Sequence, residues 1–134
     1  MKKLSVLSLI LCLLSLPGCS TNREGLQNNG SYHKIDMEEA KKMIEEGDVI
    51  LVDVRTEAEY QQGHIPGAIL VSNDIIAKQA SVQLTDRSAV YLVYCRSGVR
   101  SRQASEQLVD MGYEHVYDIG GIKDWPYETQ KGSL

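Results

Sequence analysis

The sequence is poor in the features that define membrane-spanning and nucleic-acid-binding proteins. Its longest apolar run, residues 4–16, has thirteen residues, whereas a membrane-spanning helix needs about 20. There are 14 basic residues against 18 acidic ones, and nucleic-acid binding calls for a basic face. The chain also lacks internal repeats. We therefore expect no membrane-spanning helix in the mature protein and no nucleic-acid partner.

The beginning of the chain has the order of a secretory signal peptide. Lys2 and Lys3 give a charged start, a short apolar core follows, and the chain then reads "LPGC" at residues 16–19. This segment resembles the bacterial lipobox, in which cleavage before the cysteine leaves it to carry a diacylglyceryl thioether. We therefore predict a lipoprotein signal peptide over residues 1–18 and lipidation of Cys19. The protein would be exported and lipid-anchored to the extracytoplasmic face of the bacterial cell envelope, and a plain signal peptide with a chance cysteine is the alternative.

Cysteine is scarce, and cleavage before Cys19 would leave Cys95 without an intramolecular partner. Cys12 is lost with the signal peptide, and Cys19 would be alkylated. Exported proteins usually use cysteines in pairs, and a leftover one indicates intermolecular pairing or a reactive free thiol.

Composition changes after the signal peptide. The segment "TNREGLQNNGS" (21–31) is polar, rich in Asn and Gly and without a hydrophobic period. It predicts a flexible tether over residues 19–31. The mature chain of about 115 residues has room for one small domain, which we predict over residues 32–134.

From residue 32 the chain alternates short apolar runs with helical patterns, which is typical of a parallel sheet with crossover helices. The predicted strands are "YHKI" (32–35), "VILVDV" (49–54), "AILV" (68–71), "AVYLVYC" (89–95) and "HVYDI" (115–119). Helices are predicted to start near Asp36, Thr56 and Ser101, with another over 74–80 and a short one at "GGIKDW" (120–125). The predicted fold is a small three-layer α/β domain, in which helices flank a five-stranded, mainly parallel sheet.

The segment "YCRSGVRS" (94–101) places a thiol at the end of a buried strand, directly before a turn into a helix. Ligands of open α/β sheets bind outside the carboxyl ends of strands. Gly98 lets the loop curl until several amides point inward, and the first helical NH groups add positive charge. Amide groups that converge in this way form an anion-binding nest, which favours the thiolate over the thiol. The guanidinium groups of arginines beside the nest can bind an oxyanion such as thiosulfate. We predict a catalytic Cys95 and a substrate-binding loop made of Arg96, Ser97, Gly98, Val99, Arg100 and Ser101.

"YCRSGVRS" resembles the active-site loop of the rhodanese-like domain, whose cysteine becomes a persulfide. "VDVR" (52–55), "EAEYQQGHIPGA" (57–68) and "GGIKDW" (120–125) are similar to that family's flanking signatures and occur in the same order. The resemblance implies that Cys95 takes a sulfane sulfur from thiosulfate or a persulfide donor and passes it to cyanide or a thiol acceptor. Arg100 and the loop amides would hold the anion. We expect no cofactor, no metal and a monomeric protein.

Side chains outside the loop have more ordinary interpretations. Asp53 and Arg55 lie at the carboxyl end of a strand, where Arg55 could add positive potential. We favour a structural ion pair that supports the site.

His64 could act as a base, but thiolate chemistry in an amide nest needs none, so we predict packing within its turn. Tyr91 and Tyr94 lie three positions apart on a strand and should pack on opposite faces.

Two other function classes stay open. Cysteine-dependent phosphatases and arsenate reductases share this kind of fold and loop, but the loops of the related families are longer than the four residues between Cys95 and Arg100. The shorter loop makes a nest that fits a sulfur atom better than a phosphoryl group. The third class is a non-catalytic module that senses or binds a partner through the persulfide, which the presence of Cys95 does not favour.

Overall fold

The computed structural model describes residues 31–133. These residues form one sheet with strands β1 His33–Lys34, β2 Ile50–Asp53, β3 Ile69–Leu70, β4 Val90–Cys95 and β5 His115–Gly121. All neighbouring strands are parallel, and their order across the sheet is β1-β5-β4-β2-β3. The predicted signal peptide, Cys19 and residues 19–30 of the predicted tether lie outside the described residues. Within residues 31–133, no helix combines the length and the apolar character needed to cross a bilayer.

In this part of the chain, helices connect the strands. They are α1 Met37–Glu46, α2 Glu57–Gln62, α3 Ile76–Gln83 and α4 Val99–Asp110, followed after β5 by a 3-10 turn at Ile122–Asp124. Side-chain caps explain the first two starts. The Glu39 amide donates to Asp36 Oδ1 at 2.8 Å, and Thr56 and Glu59 exchange hydrogen bonds in a capping box.

The helices cover both faces of the sheet. Helices α3 and α4 contribute side chains to the hydrophobic layer on one face, and α1 and α2 contribute to the layer on the other. Along the central strand β4, Tyr91 and Val93 enter the first layer and Leu92 and Tyr94 enter the second. The three-layer α/β fold and the opposite orientations of the two tyrosines are therefore confirmed.

Helix α4 begins closer to the thiol than predicted. It starts at Val99 rather than near Ser101, because Gly98 takes a left-handed φ of 100° and turns the chain directly into the helix. This places the first turn of the helix next to the end of β4.

Strand β5 is longer than the predicted segment 115–119. A register shift between Val93 and Tyr94 lets Gly120 pair with Tyr94 and Gly121 pair with Cys95. The backbone of β5 therefore runs alongside Cys95 instead of ending short of it.

Candidate active site

Cys95 lies where the chain leaves the centre of the sheet. It is the last residue of β4, it is buried, and it forms no disulfide within the described residues. The amide nitrogen of Gly98 lies 3.0 Å from Cys95 Sγ and donates a hydrogen bond to it. A left-handed conformation costs a residue with a Cβ about 1–2 kcal/mol, so the glycine lets the short loop curl back on the sulfur.

The loop lowers the pKa of the Cys95 thiol from its ordinary value of 9.0. Burial by itself raises this pKa, but hydrogen bonds from the Ser101 side chain and from the amides of Ser101, Gly98 and Ser97 outweigh it. The predicted nest that favours thiolate is therefore present in the geometry, and its role in catalysis stays a prediction.

The Ser101 hydroxyl also binds Asp118. This hydroxyl has one proton, and Ser101 Oγ lies 2.7 Å from Asp118 Oδ1. Buried Asp118 also accepts the Gly120 amide at 2.9 Å and Lys34 Nζ at 3.0 Å. Asp118 therefore competes with the sulfur for the single hydroxyl proton of Ser101, whereas the Gly98 amide donates to the sulfur directly. Sequence reasoning missed Asp118, although an acid inside the apolar strand "HVYDI" was a signal for it.

The end of β5 touches the loop at Gly121. A Cβ on Gly121 would lie 2.2 Å from the Arg96 carbonyl oxygen and 2.6 Å from Ser97 Cα, so a side chain has no room there. The amide of Lys123 donates to the same Arg96 carbonyl at 3.2 Å. The glycine pair in "GGIKDW" therefore lets the segment after β5 dock directly on the active-site loop.

Arg100, which was predicted to hold the substrate anion, binds Glu59 in the structure. Its Nη1 and Nη2 each lie 2.8 Å from a different carboxylate oxygen of Glu59. The hydrogen bond to Arg100 is the largest cause that lowers the pKa of Glu59 to about 2, against an opposing effect of burial. Glu59 also caps the start of α2, since it accepts a hydrogen bond from the Thr56 amide at 3.0 Å. Glu59 therefore engages Nη1 and Nη2 of this guanidinium, and the role of Arg100 in holding a substrate anion stays a prediction.

Asp53 and Arg55 form a structural ion pair, as the sequence predicts. Arg55 Nη2 lies 2.7 Å from Asp53 Oδ2, with side-chain exposures of 6% and 0%. The same nitrogen donates to the Gly63 carbonyl at 2.7 Å. The pair thereby ties the end of β2 to the end of α2, on the edge of the sheet where Cys95 lies.

His64 packs within its turn. Its ring stacks on Tyr60 with centroids 3.7 Å apart, Nδ1 lies 2.9 Å from the Tyr60 carbonyl oxygen, and Nε2 lies 3.0 Å from Gln130 Nε2. With both ring nitrogens engaged and the residue buried, His64 is not available as a base, which confirms the packing interpretation.

A pocket of about 370 Å³ borders the loop at Arg96, the residue after Cys95. It is lined by Arg55, Glu59, Gln62, Gly63, Arg96, Ile122, Lys123 and Thr129. The remaining predicted loop residues are Ser97, whose amide helps to lower the pKa of the Cys95 thiol, and Val99, which is 57% exposed at the first position of α4. The described residues contain no cluster of three metal-ligating side chains.

Comparison with known proteins identifies one family and several similar proteins. The family described as "Rhodanese-like domain" matches residues 36–128. "Thiosulfate sulfurtransferase PspE" of Escherichia coli (strain K12) is 38% identical over 81 residues, which are 60% of this chain and 78% of that protein. A protein named "Sulfurtransferase" of Allochromatium vinosum is 41% identical over 95 residues, covering 69% of this chain and 87% of that protein.

A solved structure described as a rhodanese with anions from E. coli is also similar. It is 37% identical with a TM-score of 0.59, and the match covers 63% of this chain and 99% of that one. The family match begins at the cap of α1 and ends beyond the 3-10 turn, so it includes both the active-site loop and the segment docked on it.

Proposed function

The chain belongs to the rhodanese-like domain family, and on that premise we propose that it is a sulfurtransferase that carries sulfane sulfur on Cys95. The observation that carries the proposal is a lone buried thiol at the end of β4, with the Gly98 amide 3.0 Å from Sγ and a lowered thiol pKa. Two relatives with sulfurtransferase names support it.

In the first step, the Cys95 thiolate attacks the sulfane sulfur of the donor. With thiosulfate, the bond between the two donor sulfurs breaks and sulfite leaves with the electron pair. With a persulfide donor, a thiolate leaves instead. In both cases a new S–S bond leaves Cys95 as a persulfide, and no external oxidant is needed.

In the second step, cyanide or a thiolate attacks the outer sulfur of the persulfide. The S–S bond breaks, its electron pair returns to Cys95 Sγ, and thiocyanate or an acceptor persulfide leaves. A thiol of lower pKa is a better leaving group in such exchanges. The amides that lower the pKa of Cys95 therefore favour both the attack and the release.

The test measures two activities of the purified mature protein. One is transfer of sulfur from thiosulfate to cyanide, and the other is hydrolysis of p-nitrophenyl phosphate. We expect thiocyanate to form, and Cys95 to gain the mass of one sulfur atom before cyanide is added. Cys95→Ser should fold but do neither, because a hydroxyl is hardly ionised at neutral pH and cannot hold a sulfane sulfur. Phosphate-ester hydrolysis without thiocyanate would indicate a phosphatase, and neither activity would indicate a binding module.

We also propose that Cys19 is lipidated and holds the protein on the cell envelope. Cleavage before Cys19 removes Lys2 and Lys3 and leaves 12 basic against 18 acidic residues, a net charge of −6. Such a chain gains little attraction from anionic lipid, so acyl chains must supply the anchoring. In a bacterial host, wild type should take up a palmitate analogue and stay with membranes after a high-salt wash, whereas Cys19→Ala should do neither. A variant that still sediments with membranes, or an unlabelled wild type, contradicts this proposal.

A further inference from the structure

The pocket beside the active-site loop contains two positive charges that no described residue neutralises. Of its charged lining residues, Arg55 is paired with Asp53 and Glu59 is paired with Arg100. Arg96 and Lys123 are exposed, and within residues 31–133 neither forms an ion pair. The pocket is therefore locally cationic in a chain whose formal net charge is −4.

The two cations come from different elements that the backbone holds together. Arg96 follows the thiol directly, and Lys123 lies in the 3-10 turn after β5. The Lys123 amide donates to the Arg96 carbonyl at 3.2 Å. This contact depends on Gly121, because a Cβ there would lie 2.2 Å from the Arg96 carbonyl oxygen. The position of Lys123 beside the loop is thus built into the fold.

The size of the pocket argues against thiosulfate or cyanide as its full occupant. Its volume of about 370 Å³ falls in the range of small-molecule sites, roughly 300–1,000 Å³. One water takes about 30 Å³ in the liquid, so an anion of a few heavy atoms fills only a small part. A larger molecule that carries negative charge fits both the volume and the potential.

We propose that Arg96 and Lys123 form a subsite for the carboxylate end of an anionic thiol acceptor, whose sulfur meets the Cys95 persulfide at the edge of the pocket. This proposal rests on the proposed sulfurtransferase function. Arg100 is not part of the pocket lining, and Nη1 and Nη2 of its guanidinium bind Glu59, so we assign the subsite to Arg96 and Lys123. The transfer is balanced: the acceptor thiolate bonds to the outer sulfur, the S–S bond breaks, and Cys95 leaves as thiolate.

The test compares two acceptor thiols on the thiosulfate-loaded protein: mercaptosuccinate, which carries two carboxylates, and mercaptoethanol, which carries none. The readout is the ratio of their kcat/KM values, which cancels changes in the reactivity of the persulfide. We expect Lys123→Gln and Arg96→Gln each to lower this ratio about fivefold, through KM for the dianion, as loss of one charge-assisted contact would do. The effect should shrink as salt is raised. Lys78→Gln is the matched control, since Lys78 is an exposed lysine on α3 outside the pocket lining.

A second readout does not depend on sulfur transfer. Iodoacetate and iodoacetamide alkylate the same thiol but differ in charge, and the subsite should favour the anionic reagent in wild type relative to Lys123→Gln. If no persulfide forms but this preference changes as expected, the sulfurtransferase proposal fails and the anion subsite stands. If the persulfide forms but both ratios are the same in wild type, Lys123→Gln and Arg96→Gln, the subsite is overturned and the sulfurtransferase proposal stands.

Discussion

The guanidinium of Arg100 and the carboxylate of Glu59 make two parallel hydrogen bonds of 2.8 Å each, across 41 positions of the chain. Through this pair, the first turn of α4 is joined to the first turn of α2 at the carboxyl edge of the sheet. Glu59 also completes the capping box of α2. One carboxylate therefore caps the start of α2 and neutralises an arginine in the first turn of α4.

The first prediction concerns Arg100→Ala. This change leaves the Glu59 carboxylate unpaired beside the site, where it repels an anionic donor. We expect kcat/KM for thiosulfate to fall about tenfold, which corresponds to about 1.4 kcal/mol, because a negative charge near the site disfavours the anionic donor. The rate of Cys95 alkylation by neutral iodoacetamide should fall less, because the loop amides remain.

The double variant Arg100→Ala/Glu59→Gln separates two causes of the lost thiosulfate activity, which are repulsion by Glu59 and loss of a direct contact between Arg100 and the donor. If the loss arises from the unpaired carboxylate, the double variant should recover part of the thiosulfate activity. If the double variant is as impaired as Arg100→Ala, the arginine itself contacts the donor and our account of the pair is contradicted.

The second prediction is a pH dependence of stability. The pKa of Glu59 is lowered from 4.5 to about 2, so its contribution is complete above pH 4.5 and is lost as pH falls towards 2. Glu59→Gln should lower the free energy of unfolding by about 1 kcal/mol at neutral pH, since the pair is partly exposed. Urea unfolding at several pH values should show the wild type and the variant converging between pH 4.5 and 2. Glu57→Gln, on the same helix but without an arginine partner, is the control, and a gap that persists at pH 2 would contradict the prediction.

The third prediction concerns the ionisation of Cys95. The pH profile of iodoacetamide alkylation should have its midpoint below 9.0 in the folded protein, because amide hydrogen bonds stabilise the thiolate despite burial. Unfolding in urea should move the midpoint back up. Ser101→Ala should raise the folded midpoint, because the Ser101 side chain contributes most among the hydrogen bonds that lower the pKa of Cys95. An unchanged midpoint in that variant would contradict this and show that the hydroxyl proton stays on Asp118, 2.7 Å away.

The fourth prediction concerns Gly121→Ala. The added Cβ would lie 2.2 Å from the Arg96 carbonyl oxygen, and such overpacking costs about 1–3 kcal/mol. Thermal unfolding should show this loss, and alkylation of Cys95 should change because the loop backbone has to move. Gly63→Ala is the control, since its Cβ would meet nothing closer than 3.9 Å. Equal effects in the two variants would mean that the close approach at Gly121 is relieved without cost.

Local patterns in the sequence determined the order of elements and the position of the thiol. Continuous apolar runs mark the buried strands, Asp36 and Thr56 cap the first two helices, and Gly98 turns the chain into α4. These signals act over a few residues, because caps, turns and strand periodicity depend on neighbours along the chain. For the same reason the thiolate nest, which is built from consecutive amides, was predictable without a structure.

Tertiary structure decided which side chains meet at that nest. The strand order brings the ends of β2, β4 and β5 to one edge, and the register shift at Tyr94 slides β5 until Gly121 lies beside the loop. Only that arrangement pairs Arg100 with Glu59 and sets Lys123 against Arg96. No local pattern encodes these contacts, because each depends on the relative placement of segments far apart in the chain. The sequence by itself therefore determined where the thiol lies, and the packing of distant segments decided which cations near it stay unpaired.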